Sequence, residues 1–156
     1  MKTQYRLVFA AVAGMLALNV SAAELKPEDA IKLRKANYNT LSWNMNKIKD
    51  VLDNEMDFDA KKVAAASNVI AAIANSGMGA LYIPGSEKSI GDMKTRAKPE
   101  IFTDGEGVKA VAVKFIQTSN ELQTAAASGD KVAVAQAFKE VGASCKACHD
   151  KYLAKE

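Results

Sequence analysis

The chain has 156 residues, of which 49% are hydrophobic and 25% are charged. This composition fits one ordinary globular domain and excludes a disordered or collagen-like polymer. The basic residues are scattered among Asp and Glu, and no basic patch with interleaved aromatic side chains occurs, so nucleic-acid binding is not indicated.

The first 23 residues differ from the rest. Lys2 and Arg6 precede an apolar run of about a dozen residues, and small residues follow it. This pattern is typical of a signal peptide, because the run is shorter than the roughly 20 residues that span a bilayer. We expect cleavage after Ala22 or Ala23 and take Glu24 as the start of a mature domain that ends at residue 156. Loss of the two N-terminal cations leaves 19 basic and 18 acidic side chains, a net charge of +1.

Four amphipathic helices are predicted in this domain. The first begins at Pro27, which is tolerated in an opening turn, and ends at an acidic stretch from residue 53. The second follows Asp59 as its N-cap and ends near Asn75. The third runs from about Gly105, and the fourth runs from about Lys131 to the chain end. Their apolar stripes, at steps of three and four, are Ile31, Tyr38, Leu41, Met45, Ile48 and Leu52; Val63, Ala66, Ile70 and Ile73; Val108, Ala112, Phe115, Ser119, Leu122 and Ala126; and Val134, Phe138, Val141, Cys145, Cys148 and Tyr152.

One long irregular segment, from about residue 79 to residue 104, separates the second helix from the third. Pro84, Gly85, Gly91 and Pro99 interrupt helix formation there. Segments of this length are usually functional or disordered, and we expect this one to pack over the end of the helices. With two short connections, one long one and no alternating strand pattern, the chain is predicted to be an all-α, antiparallel four-helix bundle.

Near the C-terminus the sequence reads Cys145-Lys146-Ala147-Cys148-His149. This is the signature for covalent haem attachment, in which two thiols bond the porphyrin vinyl groups and the adjacent imidazole binds iron. Positions three and four apart share a helix face, so Cys148 and His149 lie on the same side as Cys145 and can address one flat macrocycle. Because this face continues the apolar stripe, the haem is predicted to enter the core of the bundle.

Other interpretations of the motif are weaker. A thioredoxin-like pair needs a strand-then-helix setting with the thiol at a helix N-terminus, whereas this pair lies deep in the last helix. A structural zinc site needs four ligands, and the chain has only two cysteines and one histidine. Two unrelated thiols beside a surface histidine would leave the spacing unexplained. We therefore predict one haem c, bound covalently through Cys145 and Cys148, with His149 as the axial iron ligand.

The sixth iron ligand is either methionine or absent, because His149 is the only histidine. Methionine opposite histidine is typical of electron carriers. In an antiparallel bundle the haem level falls near residues 33 to 38 of the first helix, and Met45 lies about 10 Å farther along the axis. Met78 and Met93 lie in irregular segments and stay open as ligands.

Two residues of the first helix are placed at the haem level. Arg34 is the one charge on the buried stripe, and we place it with Lys35 on the propionate side, where a guanidinium can form a charge-assisted pair. The alternative is an arginine that extends out of the bundle end. Tyr38 is placed in the distal pocket, as a steric wall or hydrogen-bond donor on the vacant side of iron, with an ordinary core tyrosine as the alternative.

The mature chain resembles the cytochrome c′ family over essentially its whole length. The matching stretches are Lys26–Ala30 with Arg34, Lys98–Phe102 and Val141–Asp150. The resemblance implies a left-handed four-helix bundle, usually a homodimer joined through the first two helices, whose five-coordinate high-spin haem binds nitric oxide and often carbon monoxide. It also implies an arginine near the propionates at Arg34 and a bulky distal residue at Tyr38. Many members have a basic residue four positions after the haem histidine, where this chain has Leu153.

Together these inferences predict a periplasmic haem protein that reversibly binds diatomic gases and can undergo electron transfer, and that is not an enzyme in the strict sense. The alternative is a six-coordinate His/Met electron-transfer cytochrome, whose spectrum would be low-spin. A haem peroxidase would need a distal acid–base pair, and the sole histidine is already assigned to iron. The sequence does not identify a redox partner.

Overall fold

The computed structural model describes residues 24–155, and the predicted signal peptide lies outside them. Four helices follow in chain order: α1 (Pro27–Leu52), α2 (Ala60–Ala74), α3 (Gly105–Ser128) and α4 (Lys131–Tyr152). The described residues form no strand, only isolated bridges between Ile90 and Met93 and between Ala97 and Leu153. The predicted all-α bundle is therefore confirmed. In the same part of the chain, no helix has the length and apolar character needed to cross a membrane.

Short polar side chains mark where three of the helices begin. Asp59 accepts hydrogen bonds from two backbone amides of the first turn of α2, as predicted. Asp130 caps α4 in the same way, and Asp104 caps α3 by accepting a hydrogen bond from one amide, that of Gly107. Each cap satisfies amides that have no partner inside the helix. Gly129, at a φ of 72°, ends α3 in the left-handed region and allows the tight connection to α4.

Hydrogen bonds between helices show the antiparallel arrangement. Between α2 and α3, Asn68 pairs with Gln123 and Asn75 pairs with Asn120, so residue numbers rise along one helix and fall along the other. At the far end of the bundle, Lys131 Nζ donates to Asn54 Oδ1 across 2.8 Å, which brings the start of α4 to the end of α1.

The core follows the predicted stripes in most positions. Its buried members are Leu41, Ile48, Val51, Val63, Ala66, Ile70, Leu122, Ala126, Val134 and Val141. Two positions differ from the prediction: Tyr38 and Ala112 are exposed rather than buried. The prediction that α4 reaches the chain end is wrong, because Leu153 adopts an extended backbone and pairs with Ala97.

The segment between α2 and α3 packs against the bundle, as predicted. It contains two short 3₁₀ turns, Met78–Leu81 and Pro99–Phe102. Its C-terminal part pairs with the residues at the end of α4: Lys98 N donates to the Tyr152 carbonyl, and Ala154 N donates to the Arg96 carbonyl. These bonds fix the segment to the helix that carries the cysteine motif.

Candidate functional site

The cysteine motif lies on the last two turns of α4. Cys145 and Cys148 are half-buried free thiols, and Cys145 packs against the core. The imidazole of His149, one residue farther, is exposed. Burial raises the pKa of both thiols. They are therefore neutral at pH 7 and unlike the activated thiolate of a disulfide oxidoreductase.

The donor set argues against a metal held by protein side chains alone. Among residues 24–155, no group of three or more His, Cys, Asp or Glu side chains is arranged to hold an ion. A haem iron needs only one protein ligand on its proximal side, and His149 can supply it. Two neighbouring thiols on the same helix face then serve as attachment points rather than as ligands.

Two tyrosines lie across from the cysteines. Tyr38 of α1 and Tyr82 of the long segment have their hydroxyl oxygens 3.0 Å apart. Burial raises the pKa of Tyr38, and the nearby Tyr82, Cys148 and Cys145 raise it further. Burial also raises the pKa of Tyr82, and Cys148 contributes again. Tyr38 thus lies close enough to both cysteines to interact with them electrostatically, and its place in a distal pocket stays a prediction.

The helices on either side of this site are the least closely packed pair around the bundle. α1 and α4 come close at few positions, whereas α1 with α2, α2 with α3 and α3 with α4 pack along much of their lengths. Tyr38 keeps 38% of its surface exposed although it lies on the inward stripe of α1. A flat macrocycle attached to Cys145 and Cys148 fits this arrangement, because it would cover the aromatic surface between the two helices.

Arg34 lies one turn before Tyr38 and is 4% exposed. Its Nη1 donates to the Leu81 carbonyl and to Ser86 Oγ, and its Nη2 donates to the Ser86 carbonyl, over 2.7–2.8 Å. A longer contact of 3.5 Å joins Nη2 to Thr95 Oγ1. The alternative in which this arginine extends into solvent is therefore wrong. Its pairing with a propionate stays a prediction, and Lys35 is exposed beside it.

Aromatic rings complete the surroundings of this guanidinium. Its carbon lies 4.7 Å from the centroid of the Tyr82 ring and 5.9 Å from that of Phe102. Burial lowers the pKa of Arg34, and the two tyrosines partly oppose this effect. Tyr82 and Ser86 were not predicted as site residues, because they lie in a segment that has no hydrophobic periodicity. Phe102 could have been suspected, because it ends the Lys98–Phe102 stretch.

A separate polar cluster ties the end of α4 to the start of α3. Asp104 Oδ2 accepts hydrogen bonds from Tyr152 Oη and Lys151 Nζ, each over 2.6 Å. The lysine, the tyrosine and the Gly107 amide together lower the pKa of Asp104 to about 2. Lys151, in the last turn of α4, thus reaches the N-cap residue of α3. Leu153, at the position where many family members are basic, makes the backbone bridge to Ala97.

The four methionines of the mature chain, of which Met78 and Met93 were left open as iron ligands, have different surroundings. Met45 and Met78 pack against the core, and Met56 is exposed. Met93 is half-buried in the bridge with Ile90.

Known proteins resemble this chain along most of its length. Residues 29–153 match the sequence profile described as Cytochrome C′. The cytochrome c′ of Allochromatium vinosum is 52% identical over 147 residues, which cover 92% of this chain and 94% of that protein. A solved cytochrome c′ structure, described as having an unusual ligand-controlled dimer dissociation, superimposes with a TM-score of 0.82 at 53% identity, covering 85% of this chain and all of that one.

Cytochrome c′ from Alcaligenes xylosoxidans provides structures of variants with gases bound. One has carbon monoxide bound and another is a nitric oxide complex. Each superimposes on this chain with a TM-score of 0.74 at 32% identity, covering 83% of this chain and 98% of that one. The family binds haem c, in agreement with the two cysteines of α4. By sequence profile, identity and fold, the chain belongs to the cytochrome c′ family.

Proposed function

We propose that this chain is a periplasmic c-type haem protein whose iron is five-coordinate and high-spin, and which reversibly binds nitric oxide and carbon monoxide. One haem c would be attached through Cys145 and Cys148 and held by His149. When bound, it supplies an iron that can take a diatomic ligand and change between ferrous and ferric states. The chain is proposed to carry gas or electrons and not to act as an enzyme.

The observation that carries the proposal is the identity of the side chains across from the motif. Tyr38 and Tyr82 lie there with their hydroxyls paired. The two hydroxyls form a hydrogen bond with each other, and neither side chain is the thioether or imidazole that completes a low-spin c-type haem. A tyrosine can still form a wall and donate a hydrogen bond. Complexes of relatives with nitric oxide and carbon monoxide give the same function independent support.

Each residue of the site has a proposed task. His149 holds the iron from the proximal side, and the two thiols fix the macrocycle against α4. Tyr38 covers the distal side, so that a small ligand enters only when this ring moves aside. Arg34 and Lys35 are proposed for the propionate side, and the Arg34 guanidinium keeps the segment from Leu81 to Thr95 against α1 at the same time.

An optical spectrum of the purified haem-loaded protein tests this proposal. The ferrous form should be high-spin and should change on addition of carbon monoxide. Cys148→Ala should retain haem through a single thioether bond, which pyridine haemochrome spectra report. A low-spin ferrous spectrum that carbon monoxide leaves unchanged would overturn the proposal in favour of a six-coordinate His/Met electron carrier.

We also propose that the protein is a homodimer joined through α1 and α2. Three large apolar side chains of these helices are exposed: Leu33, Trp43 and Val69. Trp43 is 64% exposed, and Lys47 Nζ lies over its ring at 3.9 Å. In sedimentation experiments the wild-type protein should be a dimer, and Trp43→Glu should dimerise more weakly. The exposed Val132→Glu on α4 is the control, and a wild-type monomer at all concentrations would refute the proposal.

Export is proposed from the first 23 residues, with Glu24 as the mature N-terminus. Attachment of haem to cysteine pairs takes place outside the cytoplasm, so a cleaved leader accords with the motif. Mass spectrometry of the periplasmic fraction should show a chain that begins at residue 23 or 24 and carries one haem. A haem-loaded chain that keeps its N-terminal residues would contradict cleavage.

A further inference from the structure

We propose that Tyr82 is a positioning residue for Tyr38: its hydroxyl holds the Tyr38 ring on the side opposite His149 and so limits how fast a diatomic gas reaches the iron. The inference rests on the proposed function, because it concerns access to the same iron site. Tyr82 lies outside the four helices, in the segment between α2 and α3.

The Tyr82 ring is held by its neighbours on more than one side. The Arg34 guanidinium lies over the ring at 4.7 Å, and the Phe102 ring meets it edge-on at 5.8 Å with an interplanar angle of 65°. Arg34 is itself buried and bonded to both the hydroxyl and the carbonyl of Ser86. Swinging Tyr82 aside would disturb these contacts together. Its hydroxyl is therefore a fixed point from which another group can be held.

Tyr38 is the group less firmly held by packing. Tyr38 is 38% exposed, so the protein's own side chains enclose it less completely than they enclose Arg34, which is 4% exposed. The 3.0 Å contact between the Tyr38 hydroxyl and that of Tyr82 is a direct constraint on rotation of the Tyr38 ring. Tyr38 is close enough to both cysteines to interact with them electrostatically, and under the proposed function a ligand that binds opposite His149 has to displace it. The energy of displacement then includes the loss of the Tyr38–Tyr82 hydrogen bond.

The strength of the Tyr38–Tyr82 hydrogen bond sets the size of the expected change in the gas association rate. A neutral hydrogen bond shifts the balance between a held and a displaced side chain by a factor of about two to twelve. Gas binds only when the ring is displaced, so its association rate scales with the displaced fraction. Tyr82→Phe keeps the ring and its contacts with Arg34 and Phe102 but removes the hydroxyl. We expect it to accelerate association about two- to twelvefold, with a smaller change in dissociation.

The experiment measures carbon monoxide association to the ferrous haem-loaded protein by flash photolysis. The wild type is compared with Tyr82→Phe, Tyr38→Phe and the double variant. Tyr82→Phe should accelerate binding when Tyr38 is present and have no further effect when Tyr38 is phenylalanine, because there is then no hydroxyl to hold. Thr124→Val is the matched control, since its hydroxyl donates to the Asn120 carbonyl within α3.

The outcomes separate this inference from the proposed function. A wild-type protein that does not bind carbon monoxide overturns both. A wild type that binds while Tyr82→Phe binds at the same rate overturns the role of Tyr82 alone. Equal acceleration by Tyr82→Phe in both backgrounds also overturns it, because the segment would then have loosened as a whole. Urea unfolding without gas gives a second readout: the two single losses should be non-additive, and additive losses would refute the pairing.

Discussion

Replacing Arg34 with methionine tests how the segment between α2 and α3 is held. Methionine keeps much of the apolar volume but removes the donors to the Leu81 carbonyl and to both oxygens of Ser86. A buried acceptor left without a donor costs about 1–3 kcal/mol, and loss of the guanidinium from the Tyr82 ring adds about 0.5–1 kcal/mol. The substitution also removes a buried charge, whose desolvation is what lowers the pKa of Arg34, and this gain offsets part of the loss. We expect a net loss of about 2–4 kcal/mol in the free energy of unfolding.

Urea unfolding of the haem-loaded protein measures this loss. The matched control is Lys32→Met, which removes an exposed cation from the same helix and should change the free energy of unfolding by less than about 0.5 kcal/mol. Limited trypsin digestion adds a local readout. The exposed Lys88 and Lys94 lie within the segment, and their cleavage should accelerate in Arg34→Met before the bundle unfolds.

Two results would refute this reasoning about Arg34. Equal stability of Arg34→Met and Lys32→Met would mean that the guanidinium does not hold the segment. A shift of the haem midpoint potential, with trypsin cleavage unchanged, would mean that Arg34 acts mainly on a propionate. If Arg34 has both functions, the potential and the cleavage rate change together. Arg34→Lys should lose most of the stability too, since an ammonium lacks the planar fork that reaches both oxygens of Ser86.

Three further predictions concern polar side chains of α3 and of its N-cap residue. Ser119→Ala should raise the free energy of unfolding in urea by about 1 kcal/mol, because Ser119 Oγ is buried and has no hydrogen-bond partner among the described residues. Thr118→Val should lower the free energy of unfolding by about 1 kcal/mol, because it removes the hydrogen bond to Ser144. Asp104→Asn should flatten acid unfolding curves between about pH 4 and 2. Because the pKa of Asp104 is lowered to about 2, its contribution is present above its ordinary pKa of 3.8 and is lost as the pH falls through 2.

Exposed side chains provide controls for the Ser119 and Asp104 predictions. Ser128 lies on the same helix as Ser119, but its exposed hydroxyl donates to the Ala125 carbonyl, so Ser128→Ala should not be stabilising. A loss of stability in Ser119→Ala would show that its hydroxyl has a partner in solution. For the acid transition, Asp92→Asn is the control, since it removes an exposed carboxylate from the segment between α2 and α3. An unchanged curve for Asp104→Asn would contradict the assignment.

The helices could be predicted from the sequence because the signals that define them are local. The steps of three and four in α1 to α4 depend only on the 3.6-residue period, and the Asp59 cap lies next to the helix that it begins. The end of α4 could not be predicted in this way. Leu153 leaves the helix because it pairs with Ala97, more than 50 residues earlier in the chain, and no local pattern indicates that contact. The prediction therefore extended the helix to the end of the chain.

In the candidate site too, local features could be predicted from the sequence and long-range contacts could not. The attachment motif could be recognised because its residues are adjacent, and Tyr38 could be placed because an antiparallel bundle fixes which levels of α1 and α4 meet. Tyr82 could not be placed, since its position depends on how a segment with no periodicity folds back onto α1. Arg34 was interpreted from its burial alone, as a partner of a propionate. The structure adds Ser86 and Leu81 as partners that sequence spacing does not suggest.

The arrangement of α1 explains how a segment outside the helices can affect chemistry at the iron. Arg34 and Tyr38 are four residues apart and so share one helix face. Arg34 holds the segment that contains Tyr82, and Tyr82 in turn contacts Tyr38. A change in that segment can therefore alter the freedom of Tyr38 without changing any residue of the four helices. Relatives that keep the motif of α4 but differ in this segment should bind carbon monoxide at different rates while sharing the same ferrous spectrum.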